Sequence, residues 1–146
     1  MAALGVPRNM DIAANANPAF YDLGLCGPLR TDLRDRPEYC GMFKSPSLRN
    51  VATRQSFFHN GVFHTLKEVL AFYVERDTNP EKWFSRDKDG TVRKFDDLPS
   101  AYQANVNVEP PFDRLVEDTP ALSEQEMDDI IAFLQTLNDG YRGEKR

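Results

Sequence analysis

Long hydrophobic runs are missing from this sequence. No stretch approaches the roughly 20 apolar residues of a membrane-spanning helix, and residues 1–10 lack the basic start and apolar region of a secretory signal. As it stands, the chain is expected to be soluble, with no membrane span and no targeting segment. Cysteine is scarce, with Cys26 and Cys40 alone. That excludes an all-cysteine tetrahedral zinc site, and the absence of a CxxC pair excludes a thioredoxin-type redox site. An excess of positive charge is also missing. The 18 Lys and Arg stand against 23 Asp and Glu, giving a net charge of −5 and a pI near 5.0. The basic residues are scattered, so there is no electrostatic footprint for a phosphate backbone, and no nucleic acid partner is expected. Neither a nucleophile elbow nor a phosphate-binding glycine loop is present, and no internal repeat or low-complexity tract is visible.

What the sequence has is aromatic bulk. Ten Phe, five Tyr and one Trp occur in 146 residues, enough apolar area to argue against a disordered chain. The length fits one domain. Turn signals dominate residues 1–33, where Gly5-Val6-Pro7, Asn15-Ala16-Asn17-Pro18, Gly24 and Cys26-Gly27-Pro28 recur too often for a long helix. Residues 30–38 are mostly charged and read as solvated surface closed off before Pro37. The first convincing helix spans about 66–76. Thr65 and Glu68 have capping-box spacing, and Leu66, Val69, Leu70 and Tyr73 follow at helical period. A second helix spans about 123–138, capped by Ser123 and Glu126, with Met127, Ile130, Ile131, Leu134 and Leu137 as its apolar stripe. Residues 77–119 carry Asn79-Pro80, Asp89-Gly90, Pro99 and Pro110-Pro111 without a sustained period. They predict a long loop with a small hairpin turning at Asp89-Gly90, and loops of that length are usually functional or covered by a partner.

Few residues here carry chemistry on their own. His59 and His64 are five apart, which fits no helical metal motif. His59 ends the aromatic run Phe57-Phe58, so it reads either as a ligand-capable, titratable ring or as a packed histidine bonded to backbone. Tyr73 shares a face with Leu66, Val69 and Leu70, so its ring points inward and its hydroxyl needs a hydrogen-bond partner or a metal. Residues 85–96 place Asp87, Asp89 and Gly90 as in a calcium loop, but Ser85 and Asp96 stand where the first carboxylate and the bidentate glutamate belong. A turn is the expectation there. Met42 and Met127 read as core. Cys26 and Cys40, each beside a glycine in a loop, are expected to pair as a disulfide in an oxidising compartment, with separate buried thiols as the alternative.

The run Phe43-Lys44-Ser45-Pro46-Ser47-Leu48-Arg49-Asn50-Val51-Ala52 is followed by Phe57-Phe58-His59-Asn60-Gly61-Val62-Phe63 and then Thr65-Leu66-Lys67-Glu68. This order resembles the bacterial di-haem cytochrome c peroxidase and MauG-type family, with its FK-x-P-x-LRN-x-A block, Y/F-x-H-x-G and TL-x-E helix. The segment Leu122-Ser123-Glu124-Gln125-Glu126 through Thr136-Leu137 is similar to the last helix of that family's C-terminal cytochrome c domain. The resemblance implies a mainly α, cytochrome c-like C-terminal half-domain with long irregular loops, residues 1–146 forming a single partial domain.

Members of that family carry two c-type haems, each tied through a CxxCH motif, and reduce hydrogen peroxide or use it to oxidise a protein substrate. Here Cys26 precedes Gly27-Pro28 and Cys40 precedes Gly41-Met42, so neither attachment site is present. The chain is therefore expected to correspond to the portion downstream of the second CxxCH, with haem c belonging to an intact parent. Its implied partners are the N-terminal haem domain, an electron-donor or substrate protein and hydrogen peroxide, and its implied compartment is the periplasm. The resemblance also assigns residues. Tyr73 takes the place of the distal ligand to the iron of the C-terminal haem, where a hard anionic oxygen favours the ferric ion. His59 matches a histidine near the haem pair, and Arg49 the LRN arginine, whose planar fork suits a propionate. Backbone around Arg54 and Ser56 matches a stretch that helps hold calcium, although Ser56 replaces the usual proline, which weighs against the ion. The rival readings are a haem-free structural or interaction module and a truncated gene product without function of its own.

Overall fold

The computed structural model describes residues 1–140. Helix is the only regular structure of any length among them, and it is a minority of the chain. Two α-helices, α1 (Leu66–Glu75) and α2 (Glu124–Thr136), stand among five short 3-10 turns and isolated β-bridges. The chain is thus less helical than "mainly α" conveys. Its irregular segments are held by pairwise clips: Ala2 to Phe43, Gly24 to Met42, Ala3 to Val106 and Phe57 to Phe63. These bridges satisfy loop backbone that no sheet or helix would otherwise serve.

Both helices begin where their sequences can close the first turn. The Thr65 hydroxyl accepts from the Glu68 N–H, and the Glu68 carboxylate accepts from the Thr65 N–H. The N–H groups of His64 and Thr65 together hold the Glu68 carboxyl below its usual range. Ser123 and Glu126 make the same reciprocal pair at the start of α2. Helix α1 packs against α2, and α2 packs on the turn Val51–Thr53.

The faces of α1 divide differently from the periodicity reading. Phe72, Ala71 and Val74 enter the core, and Phe72 is 0% exposed. Leu66, Val69, Leu70 and Tyr73 are only half-buried, because that face fronts a cleft rather than the core. The core itself is aromatic. Phe57, Phe63, Phe72 and Phe84 gather with Val6, Val51 and Leu134, and Trp83 packs edge-on against Phe63 and Phe72 at 5.5 and 5.6 Å. On α2, Met127 and Leu134 are buried and Phe133 is exposed.

Residues 77–119 form a wrap with two short 3-10 turns, Pro80–Lys82 and Ser100–Asn105. A tight hairpin at Asp89-Gly90 pairs Arg86 with Val92, and the Asp87 N–H donates to Thr91 O at 2.8 Å. Within the segment that resembled a calcium loop, Ser85 donates to Asp96 and Arg93 faces Asp87. Among the described residues no group of three or more His, Cys, Asp or Glu is placed to hold a metal ion, and no helix is long and apolar enough to cross a membrane.

A disulfide joins Cys26 and Cys40, whose Cα atoms are 4.7 Å apart. It lies beside Gly41, where φ is 86° and a Cβ would come within 2.8 Å of Leu98 Cδ1. Closing a loop of this length stabilises by about 3 kcal/mol in the chain-entropy model. The Cys26→Ser/Cys40→Ser double variant is therefore expected to lose about that much in urea unfolding, and the oxidised wild type to weigh two hydrogens less than the reduced chain. Quantitative alkylation without reductant would contradict the pairing.

Candidate functional site

The half-buried face of α1 opens onto a cleft of about 690 Å³, within the range of cofactor and small-molecule sites. Its apolar wall comes from Leu66, Val69 and Leu70 of α1, Ile130 and Leu134 of α2, and Phe58 from the preceding loop. Phe58 has φ of 64°, a left-handed backbone that costs a bulky residue about 1–2 kcal/mol. Its ring lies beside that of Tyr73, with centroids 6.0 Å apart.

Tyr73 lines the cleft. Its hydroxyl makes no hydrogen bond to any described residue, and burial without a compensating partner pushes the phenol above its ordinary range. A tyrosine oxygen in an apolar cleft without a protein partner is available to a ligand that enters the cleft.

The polar part of the lining is built around His59 and Asp97. The His59 imidazole lies flat on Phe43, with centroids 3.6 Å apart and planes within 9°. Its Nε2 is 3.4 Å from Asp97 Oδ2. Asp97, itself 7% exposed, accepts from Asn60 Nδ2 at 2.9 Å and from Arg8 Nη1 at 3.2 Å. The Arg8 guanidinium is fixed in turn by the carbonyls of Asn15, Asn17 and Phe20. His59 is therefore oriented by a carboxylate that two further donors immobilise. Lys44 and Arg54 also line the cleft and are exposed, Arg54 with one guanidinium nitrogen donating to Ser47 O at 3.1 Å, so both place positive charge at its edge.

The structure brings together Tyr73, His59, Arg54 and Ser56 among the residues singled out by sequence. It does not bring Arg49 in: that side chain is exposed and pairs with Asp139 at 2.5 Å, away from the cleft lining. His64 is also apart, its Nδ1 2.9 Å from Gln55 O on the surface. Two residues were not legible as site residues. Lys44 stood inside a recognisable block without a role of its own, and Asp97 lies in the aperiodic segment 77–119, where no local signal marks it.

A haem makes three demands on such a wall: apolar area for the macrocycle, an axial donor for the iron, and positive groups for its carboxylates. The helix faces and Phe58 meet the first, the unpartnered Tyr73 oxygen the second, and Lys44 and Arg54 the third. The residues present fit the group.

No family model matches this sequence. Among individual proteins, the methylamine utilization protein MauG of Paracoccus denitrificans is 32% identical over 141 residues, covering 93% of this chain and 33% of that protein. The crystal structure of the diheme peroxidase BthA from Burkholderia thailandensis superimposes with a TM-score of 0.83 at 39% identity, covering 95% of this chain and 33% of that one. A variant of the same enzyme gives the same score and identity. The chain spans about a third of the length of the relatives it matches.

Proposed function

Because this chain belongs to the MauG-type di-haem peroxidase family over the third of its relatives' length that it spans, we propose that it forms one wall of a haem pocket in a peroxide-dependent oxidoreductase. The observation that carries this reading is the Tyr73 oxygen, half-buried in an apolar cleft with no partner among the described residues. In this reading Tyr73 binds the haem iron through its phenolate oxygen, a donor that favours the ferric state. Lys44 and Arg54 would hold the haem carboxylates, and Asp97 orients His59 in the same lining. Arg49 is released from the propionate role. The wall formed by α1, α2 and Phe58 would supply the apolar surface that keeps water from a haem bound there.

Haem supplies one-electron redox chemistry and a site of reaction with peroxide when bound. Neither cysteine of this chain stands in a CxxCH motif, so in this proposal thioether attachment and the proximal histidine come from polypeptide outside these 146 residues. The electron donor or oxidised substrate is a protein, and the compartment is the periplasm, where the Cys26–Cys40 disulfide persists. No role for calcium is assigned to Arg54 or Ser56.

Titrating the 146-residue chain with haemin tests the proposal. Wild type is expected to take up haemin without covalent attachment and to give the ferric absorption and electron paramagnetic resonance spectra of tyrosinate ligation. Tyr73→Phe keeps the packing and removes the oxygen, and is expected to raise Kd at least tenfold, about 1.4 kcal/mol, with loss of the tyrosinate spectrum. Equal Kd and spectra in the two proteins would make Tyr73 a packing residue. No binding by either would favour a haem-free structural or interaction module.

A further inference from the structure

Tyr73 is flanked on one side by a stack that ends in a fully buried cation. Arg76 follows at the end of α1 and is 0% exposed, an unusual place for a guanidinium. Its Nη1 donates to Leu4 O and its Nη2 to Asn107 O, each at 2.9 Å, and its Nε donates to the Asp77 carboxylate at 2.7 Å. Lys94 shares that carboxylate, so two cations meet one anion. The Arg76 Cζ lies 3.9 Å from the centroid of the Phe112 ring. Phe112 in turn lies 5.4 Å from the Tyr73 ring, with the two planes 30° apart. Phe112 is buried and belongs to the wrap formed by residues 77–119.

We infer that Phe112 and Arg76 are positioning residues for Tyr73: the guanidinium, fixed by two backbone carbonyls and Asp77, holds the Phe112 ring, and that ring keeps the phenol facing the cleft. The inference rests on the reading of Tyr73 as the ligand-facing group. Three features of the geometry point to it. The guanidinium carbon lies 3.9 Å from the Phe112 centroid, closer than either lysine nitrogen lies to the ring it faces, Lys82 over Trp83 at 4.9 Å and Lys94 over Phe95 at 5.1 Å. The guanidinium is held at three points, by Leu4 O, Asn107 O and the Asp77 carboxylate, so the group lying against Phe112 is fixed in place. The segment that delivers Phe112 contains no α-helix, and beside Phe112 its Asn107 carbonyl is bound by the same Arg76 guanidinium that lies over the ring.

The test uses the full chain carrying ring-labelled tyrosine, with the Tyr73 signals assigned by their loss in Tyr73→Phe. In wild type the Tyr73 ring is expected to flip slowly enough to give separate or broadened resonances. Phe112→Leu, which keeps an apolar group in the core, is expected to speed the flip at least tenfold, Phe112→Tyr to restore it, and Arg76→Met to speed it in a folded variant. With haemin bound, Phe112→Leu is expected to shift the tyrosinate charge-transfer band, which loss of packing alone would not move. Equal flip rates in Phe112→Leu and wild type overturn the clamp whatever haemin does. A faster flip with an unchanged haemin spectrum overturns the positioning role. A Tyr73→Phe variant that binds haemin like wild type overturns the ligand reading instead, so the two failures are distinguishable.

Discussion

Replacing Phe72 with alanine is expected to lower the unfolding free energy by about 3–5 kcal/mol, the usual range for emptying a buried phenylalanine site. Phe72 is fully buried and is the hub of the aromatic core. Its ring centroid lies 5.6 Å from Phe58, 5.3 Å from Phe63, 5.6 Å from Trp83 and 6.4 Å from Phe84. These neighbours are anchored to different loops and cannot all collapse into one void. Domains of this size are stable by only about 5–15 kcal/mol, so the variant should sit near the edge of folding. The midpoint of urea unfolding should fall with an unchanged slope. Phe133→Ala, at a position 60% exposed on α2, serves as the control and should stay within about 0.5 kcal/mol of wild type. A cost below 1 kcal/mol for Phe72→Ala would mean that the aromatic cluster is not the core.

The second large effect is expected at Asp97. Its carboxylate is the counter-charge of Arg8, with the two side chains 7% and 11% exposed. Asp97→Ala leaves that guanidinium inside the protein without an anion, and breaking a buried pair in this way costs about 3–5 kcal/mol. Asn60 Nδ2 keeps its bond to Pro7 O, at 2.8 Å, but loses its bond to the carboxylate, and His59 loses the group that orients its ring. The cost should shrink in the Arg8→Met/Asp97→Leu double variant, where no charge is left stranded. The double-mutant cycle measured by urea unfolding should then give a coupling of about 1–3 kcal/mol. Additive losses would mean that Arg8 and Asp97 act independently. Because the pair ties residues 1–25 to the wrap at 77–119, the single variant should also weaken haemin uptake by loosening the floor of the cleft.

These two residues mark where sequence reasoning succeeds and where it stops. Both helix starts were legible because a capping box is contained in four residues: Thr65 with Glu68, and Ser123 with Glu126. The turn at Asp89-Gly90 was legible for the same reason. The family was legible because its motifs are contiguous, and with it came Tyr73 and His59, both of which line the cleft. The apolar period of α1 was also visible. Its meaning was not, because periodicity marks an apolar face without saying whether protein or a ligand covers it. The face of Leu66, Val69, Leu70 and Tyr73 fronts the cleft, while Phe72 goes to the core.

By itself, then, the sequence determined the two helices, their caps and the kinship with di-haem peroxidases, and it singled out Tyr73 and His59, which line the cleft, all through signals spanning a few residues or one contiguous motif. Only the tertiary structure decided that Arg49 pairs with Asp139 instead of entering the cleft, that Asp97 meets His59, and that Arg76 and Phe112 back Tyr73. The physical reason is separation along the chain. Asp97 lies 37 residues from Asn60 and 89 from Arg8, and it reaches them through a segment without period or regular hydrogen bonding. The path of such a segment is set by where its buried charges and rings find partners, and those partners become neighbours only once the chain has folded.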